Sequence, residues 1–390
     1  MTNKFLLLFP LLLTLASCDR CKNNDPEKFG DMTIRWKTEF PANDYYGSIT
    51  PEISGDHVVY SNYAGFGEEV FIAANADNGK EQWRWNDYIN DNSRRTSGND
   101  NRVSINGTLA ITPANGLIGL NMKTGKTTFK QNFYAFGFTS PIGQEEVLRG
   151  TKPNDQTIAF KIINMRTGAM RQVCTIDTLS TPYCAYTKPS YSVETSGDTV
   201  LYFSLTESFQ QPDLSQTSYV EFLAFNITKN KLLWKIPGLN ARSIVYNDKL
   251  YVFSDHLSCL NKTDGSLIWE NKVNTFNGAY FAASNNKLIV AGEQIKVFDA
   301  AFGAELWSVS NTGYIHEPLI HNNIMYFISS TDGRLWALRM STGDRIWHIQ
   351  SPDSVEDPAA FWASNVGVDP VRNRLFIASY KKLYCIDPAQ

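Results

Sequence analysis

After its first seventeen residues the chain has no apolar run long enough to cross a hydrocarbon core, which takes about twenty residues. It also lacks a basic tract. With 36 Lys and Arg against 39 Asp and Glu, the formal net charge is −3, which argues against nucleic acid or a polybasic membrane surface as partner. There is no CxxC pair, no adjacent cysteine pair and no Cys/His cluster at metal-ligand spacing. Of only five histidines, His316 and His321 lie nearest to a pair, but five positions apart on a strand they face opposite ways. No metal and no cofactor are therefore expected. Helical periodicity is almost missing, so the fold is expected to be all-β.

The N-terminus carries one cation, Lys4, and then the apolar run from Phe5 to Ala16. About twelve residues is too short for a span and suits the apolar region of a secretory signal. The run ends in Leu15-Ala-Ser-Cys18, which resembles the lipobox of bacterial lipoprotein signals. That resemblance implies cleavage before Cys18 and lipidation of its thiol; the alternative is an ordinary signal peptide with a chance cysteine. Residues 1–17 are thus assigned to a signal peptide, 18–31 to a polar lipidated tether and 32–390 to one folded domain. The expected location is the bacterial envelope, anchored to a membrane, with the outer membrane as the assignment and the leaflet left open by Asp19.

Six cysteines divide by context. Cys18 is assigned to lipid. Cys174 and Cys184 lie close together in a loop-like stretch of an exported chain and form a candidate disulfide. Cys259 and Cys385 occupy equivalent positions of a repeat and read as small buried core residues. Cys21 is left over.

The repeat is the main signal. Two apolar residues precede an Asn or Asp, a Gly follows four places on, and a Trp four beyond that. Copies are Asn75 to Gly79 and Trp83, Asn121 to Gly125 and Phe129, and Asn164 with Gly168. Asn226 with Asn230 and Trp234, then Asn261 with Gly265 and Trp269, continue it. Asp299 with Gly303 and Trp307, and Arg339 with Gly343 and Trp347, follow. An eighth copy breaks off after Leu383-Tyr-Cys-Ile-Asp387. Gly supplies the positive φ of a tight hairpin turn, Asn230 substitutes for it, and the Trp opens the next strand. Short turn dipeptides such as Gly55-Asp56 and Asn247-Asp248 precede a further strand in each unit. Four-stranded units in tandem predict propeller blades. The strand missing from the eighth copy is found at the other end of the chain, where Ile34-Arg-Trp-Lys-Thr-Glu-Phe40 puts Trp36 in the repeated Trp slot. The expected fold is an eight-bladed β-propeller of four-stranded antiparallel blades, its last blade closed by the N-terminal strand.

The unit Leu335-Trp-Ala-Leu-Arg-Met-Ser-Thr-Gly343-Asp-Arg-Ile-Trp347 closely resembles the pyrroloquinoline-quinone-like propeller repeat, and the likeness covers nearly all of residues 32–388. Fold-level likeness of this kind does not assign function. As a whole chain it is similar to the propeller lipoproteins of the outer-membrane β-barrel assembly machinery, sharing the lipobox, the length and a terminus inside a blade. It departs from that family at the stretch Cys174–Cys184, where a partner-binding loop is not matched. The resemblance implies a non-catalytic, lipid-anchored envelope scaffold that binds protein partners. Two other readings remain: a surface receptor for glycan or peptide, and a quinone-dependent dehydrogenase. The last family is similar in repeat but has much longer chains and an adjacent-cysteine disulfide absent here.

Within such a propeller the tight turns share one face, and the long insertions, roughly 62–69, 85–100, 174–189, 205–220 and 351–364, share the other. Long loops on one face of a rigid scaffold carry function most often. Innermost strands begin at that face, which places Ser140 and the candidate ligand- or partner-binding residues Arg242, Tyr280, His316, Glu317 and Trp362 around the channel mouth. Aromatics at Tyr63, Phe66, Tyr88, Phe209, Tyr219, Phe361 and Trp362 belong to the same face. The repeated tryptophans, by contrast, read as packing between blades.

Overall fold

A computed structural model describes residues 27–40, 50–63, 69–87, 103–112, 116–133, 135–154, 157–177, 183–210, 216–273, 280–310, 313, 315, 317–358 and 360–390. Eight antiparallel sheets follow one another in chain order as blades of a propeller. Blades one to eight occupy residues 52–85, 103–131, 135–177, 183–237, 242–272, 280–309, 319–349 and 367–386, the last completed from the N-terminus.

Each Asx-x-x-x-Gly motif is a hairpin turn. The Asn75 side chain accepts from the amides of Asp77 and Asn78, and the Gly79 amide donates to the Asn75 carbonyl at 2.8 Å. Gly79 has φ +71°, and Asn230, in the equivalent place, has φ +49°. Glycine is required here for a second reason. A Cβ on Gly79 would sit 2.5 Å from the Trp36 ring, and one on Gly125 would sit 2.6 Å from Trp83. Each aromatic therefore lies on the turn of the following blade. Its indole donates to the carbonyl one residue into that turn: Trp36 to Ala76 at 2.9 Å, Trp83 to Met122 at 3.1 Å, Trp307 to Met340 at 3.0 Å. In these blades one residue thus supplies apolar contact and a directed hydrogen bond to its neighbour, whereas Phe129 of blade two supplies the contact alone. The core sits between blades, as a ring of clusters that each draw on two adjacent sheets.

The ring closes as the repeat predicts. Met32–Glu39 pairs antiparallel with Lys382–Ile386, with Ile34 opposite Ile386, Trp36 opposite Cys385 and Thr38 opposite Leu383. Met32 and Ile34 are buried. Arg35 holds Asp387 through two bonds of 2.7 and 2.8 Å. On the turn side of the same seam, Arg372 joins Asp369 of blade eight to Asp56 and Asp77 of blade one.

Three expectations change. The polar lead, read as tether through residue 31, is already folded at Glu27–Phe29, a fifth strand on the edge of the closing blade that Lys37 ties to Glu27 at 2.8 Å. The insertion at 205–220 is a hairpin rather than a loop. Thr199–Gln210 and Gln216–Asn226 extend blade four past its neighbours, and Tyr183–Tyr186 pairs with the extension. Finally, Cys174 is a free thiol, so the Cys174–Cys184 bridge is not formed. Cys174 lies in the apolar cluster between blades three and four, opposite Phe160, and burial pushes its thiol up to about 12. The Cys184 side chain is outside the described residues. Cys259 and Cys385 are buried in their matching slots, as their place in the repeat requires.

Candidate functional site on the long-loop face

The start of the innermost strand of blade five is fixed before any ligand is considered. The Ser204 hydroxyl of blade four accepts from the Ala241 amide at 2.8 Å, and Ser243 bonds both Ser190 and the Tyr202 carbonyl. These contacts set Arg242 at the mouth of the channel, exposed. Thr187 is held by two bonds to the Ser204 backbone, each 2.9 Å, which sets Lys188 beside it. Tyr280 begins the innermost strand of blade six, and Glu317 lies just ahead of Leu319–His321 in blade seven.

The loop 350–364 forms the opposite wall and is pinned from below. Ser351 caps the short 3₁₀ turn Pro352–Val355, inside which Asp353 is buried. Burial on its own would raise the Asp353 carboxyl, but Lys382 at 2.9 Å and the Ser379 hydroxyl hold it below its ordinary value. Such a satisfied buried pair fixes geometry more than it adds stability. Above it the Trp362 indole donates to the Ile349 carbonyl at 3.0 Å and meets Tyr384 edge-on.

Together these elements enclose a cavity of ≈ 1030 Å³. Arg242, Tyr280, Glu317 and Trp362 all line it, so four of the five residues singled out from the sequence do converge. His316 is outside the described residues. Trp362 needs correction in kind: only 2% exposed, it is a strut of the blade-eight core, and its neighbour Phe361, 44% exposed and stacked edge-on with Tyr380, offers the accessible ring. Ser140 is buried in blade three and does not line the cavity. Nor does the exposed Tyr219; the side chains of Tyr63, Phe66, Tyr88 and Phe209 lie outside the described residues. The spacing of the repeat gave no signal for Lys188, Ser329 or Tyr380, which also line the cavity.

A second cavity of ≈ 540 Å³ follows the innermost strands of blades one, six, seven and eight. Tyr280, Glu317 and Asn365 line both, and so mark the neck between the mouth and the central channel. Burial pushes the Tyr280 phenol well above its usual range, and the Glu317 charge pushes it further. The Ser329 hydroxyl, fully buried in the cavity wall, has no hydrogen-bond partner among the described residues.

The donor set does not suit a divalent ion. Among the described residues no three of His, Cys, Asp and Glu come together, and of the cavity carboxylates Asp332 is turned to the Arg334 amide and guanidinium. An oxygen cage of the calcium type needs several such ligands at one point.

The sequence profile of the family described as outer membrane protein assembly factor BamB matches residues 253–390, from the middle of blade five to the end. Among curated proteins, a tetrathionate hydrolase of Acidithiobacillus ferrooxidans is 26% identical over 196 residues. The match covers 42% of this chain, and the chain spans only 38% of that relative's length. Among solved structures, BamB from Moraxella catarrhalis superposes with TM-score 0.58 at 16% identity, covering 92% of this chain and all of that one. A europium-containing methanol dehydrogenase gives 0.60 at 11% identity over 92% and 93%, and the designed Ika8 protein gives 0.64 at 11% over 90% and 98%. At such identities these structures share the fold with the chain.

Proposed function

We propose that this chain, a pyrroloquinoline-quinone-like β-propeller similar to the outer membrane protein assembly factor BamB, is a non-catalytic envelope scaffold, anchored by lipid on Cys18 at the outer membrane, whose long-loop face receives a protein partner. The observation that carries the reading is the cavity itself. Arg242 lines its wall and Tyr280 and Glu317 its neck, on the face where insertions stand, whereas the other face is closed by tight turns. A concavity with a few convergent polar groups is the usual form of a binding site, and its place among the long loops of a rigid scaffold leaves it open to a segment of polypeptide. Among the described residues nothing in the site forms a nucleophile–base pair or a metal cradle, which weighs against catalysis.

The test is capture from detergent-solubilised envelopes with wild-type protein and with Ser330→Trp, an exposed lining position where an indole would fill the mouth. Recovery of a β-barrel assembly protein by the wild type, lost in the variant, is the expected result. Equal recovery by both, or recovery of glycan-uptake components instead, would overturn it. The glycan-receptor reading draws on one specific feature, the accessible edge-on pair Phe361 and Tyr380 in the cavity wall.

A further inference from the structure

The charges in the cavity are segregated. Arg242 and Lys188 stand exposed on the wall made by blades four and five, and among the described residues neither makes an ion pair or a side-chain hydrogen bond. Elsewhere on the surface cations commonly find a carboxylate: Lys235 has Glu221 at 2.7 Å, Lys130 has Asp87 at 2.5 Å, and Lys262 has both Glu194 and Asp248. The acid that could neutralise the wall is placed across the channel instead. Glu317, on the blade-seven side, also has no ion pair among the described residues. Asp332, the other lining acid, is occupied by Arg334. In a concavity with low-dielectric walls, two unneutralised cations side by side concentrate the field and draw anions in.

We propose that the cationic wall of Arg242 and Lys188 selects an acidic polypeptide segment, whose carboxylates it holds while the segment's backbone runs toward the neck at Tyr280 and Glu317. This rests on the polypeptide-binding reading and adds the sign of the partner. Three features fit. Arg presents a planar fork matched to carboxylate, and Lys adds a second point charge. The orphan Ser329 hydroxyl supplies a buried donor and acceptor of the kind that a backbone amide or carbonyl satisfies. Glu317 at the neck repels an anion there, so the carboxylate is kept at the wall and the neck is left for amide donors. A neutral glycan would use the aromatic pair and the hydroxyls but brings no charge to neutralise the two cations.

The experiment uses the full mature chain and three labelled twelve-residue peptides: alternating Glu and Tyr, the same with Gln for Glu, and the same with Lys for Glu. Binding is read by fluorescence anisotropy at low and at moderate salt. The Glu peptide is expected to bind at least about tenfold tighter than the Gln peptide, and to weaken steeply as salt rises. The double variant Arg242→Glu/Lys188→Glu is expected to lose that preference and to favour the Lys peptide. Because Arg242 and Lys188 are exposed and unpaired, the double variant should melt like the parent, which separates lost binding from lost fold. Equal binding of the Glu and Gln peptides overturns the charge assignment while leaving a polypeptide site in place. Absence of binding by all three, or an unchanged preference in the double variant, overturns the proposal outright.

Discussion

Removing the strand that closes the ring gives the most searching test of the architecture. Deletion of residues 19–41 takes away Met32–Glu39, and with it two side chains only 1% and 2% exposed, Met32 and Ile34. Loss of either alone costs about 2–5 kcal/mol when truncated to Ala. Trp36 adds the indole that covers Gly79 and its bond to the Ala76 carbonyl, together about 3 kcal/mol for a half-buried ring. The bare edge of Lys382–Ile386 is then open to pairing with other chains. The sum is comparable with the whole net stability of a domain, about 5–15 kcal/mol. The truncated protein is expected to aggregate or to unfold well below the parent in a urea or thermal melt. Deleting only 19–26, which stops before Glu27–Phe29, should be nearly silent, whereas deleting 19–31 should cost a little through the lost edge strand and the Lys37–Glu27 pair. Thr38→Cys with Leu383→Cys, directly opposed in the ladder, should form a disulfide on mild oxidation. A melt of the 19–41 deletion that matches the parent would refute the closure, and with it the eight-blade count.

Cys18→Ser should release the protein from membranes without changing its melt; retention of the variant in the membrane fraction after a high-salt wash would remove the lipid anchor from the account. Pyrroloquinoline quinone with calcium should neither raise the melting temperature nor support oxidation of alcohols or sugars, and a rise of several degrees would show a bound quinone, since stabilisation follows ligand concentration over Kd. Asp353→Asn strands Lys382 beneath the cavity and should cost about 2–3 kcal/mol at pH 7. The Asp353 carboxyl is held below its ordinary value in the fold, so its contribution is present above about pH 4 and is lost as pH falls through the lower folded value. The variant's deficit should therefore shrink in acid, and a constant deficit from pH 7 to pH 3 would contradict the linkage.

The blade count, the closing strand and the packing tryptophans were legible in the sequence because the repeat records them at fixed spacing. A turn that needs positive φ and a ring that needs a glycine beneath it leave the same mark in most copies, from Gly79 under Trp36 to Gly343 under Trp307. The repeat also placed Arg242, Tyr280 and Glu317 at the starts of innermost strands, and all three line one cavity. Its authority ends where the chain leaves it. Trp362 falls at the expected place, but it touches its sheet through a single bridge to Ser379, and in so short a pairing the alternation does not say whether the ring faces channel or core. Packing decided that, by seating the indole on Tyr384 and turning Phe361 outward. The insertion at 205–220 became a hairpin because Tyr183–Tyr186, some twenty residues earlier, supplies a partner strand that no local pattern announces. The pairing of Cys174 was likewise a tertiary matter: its slot opens onto Phe160 and the blade-four core, and a thiol buried there packs as an apolar group. Residues whose roles repeat could be read from order along the chain, whereas Lys188, Ser329 and Asp353 owe theirs to which non-repeating segments the closed ring brings face to face.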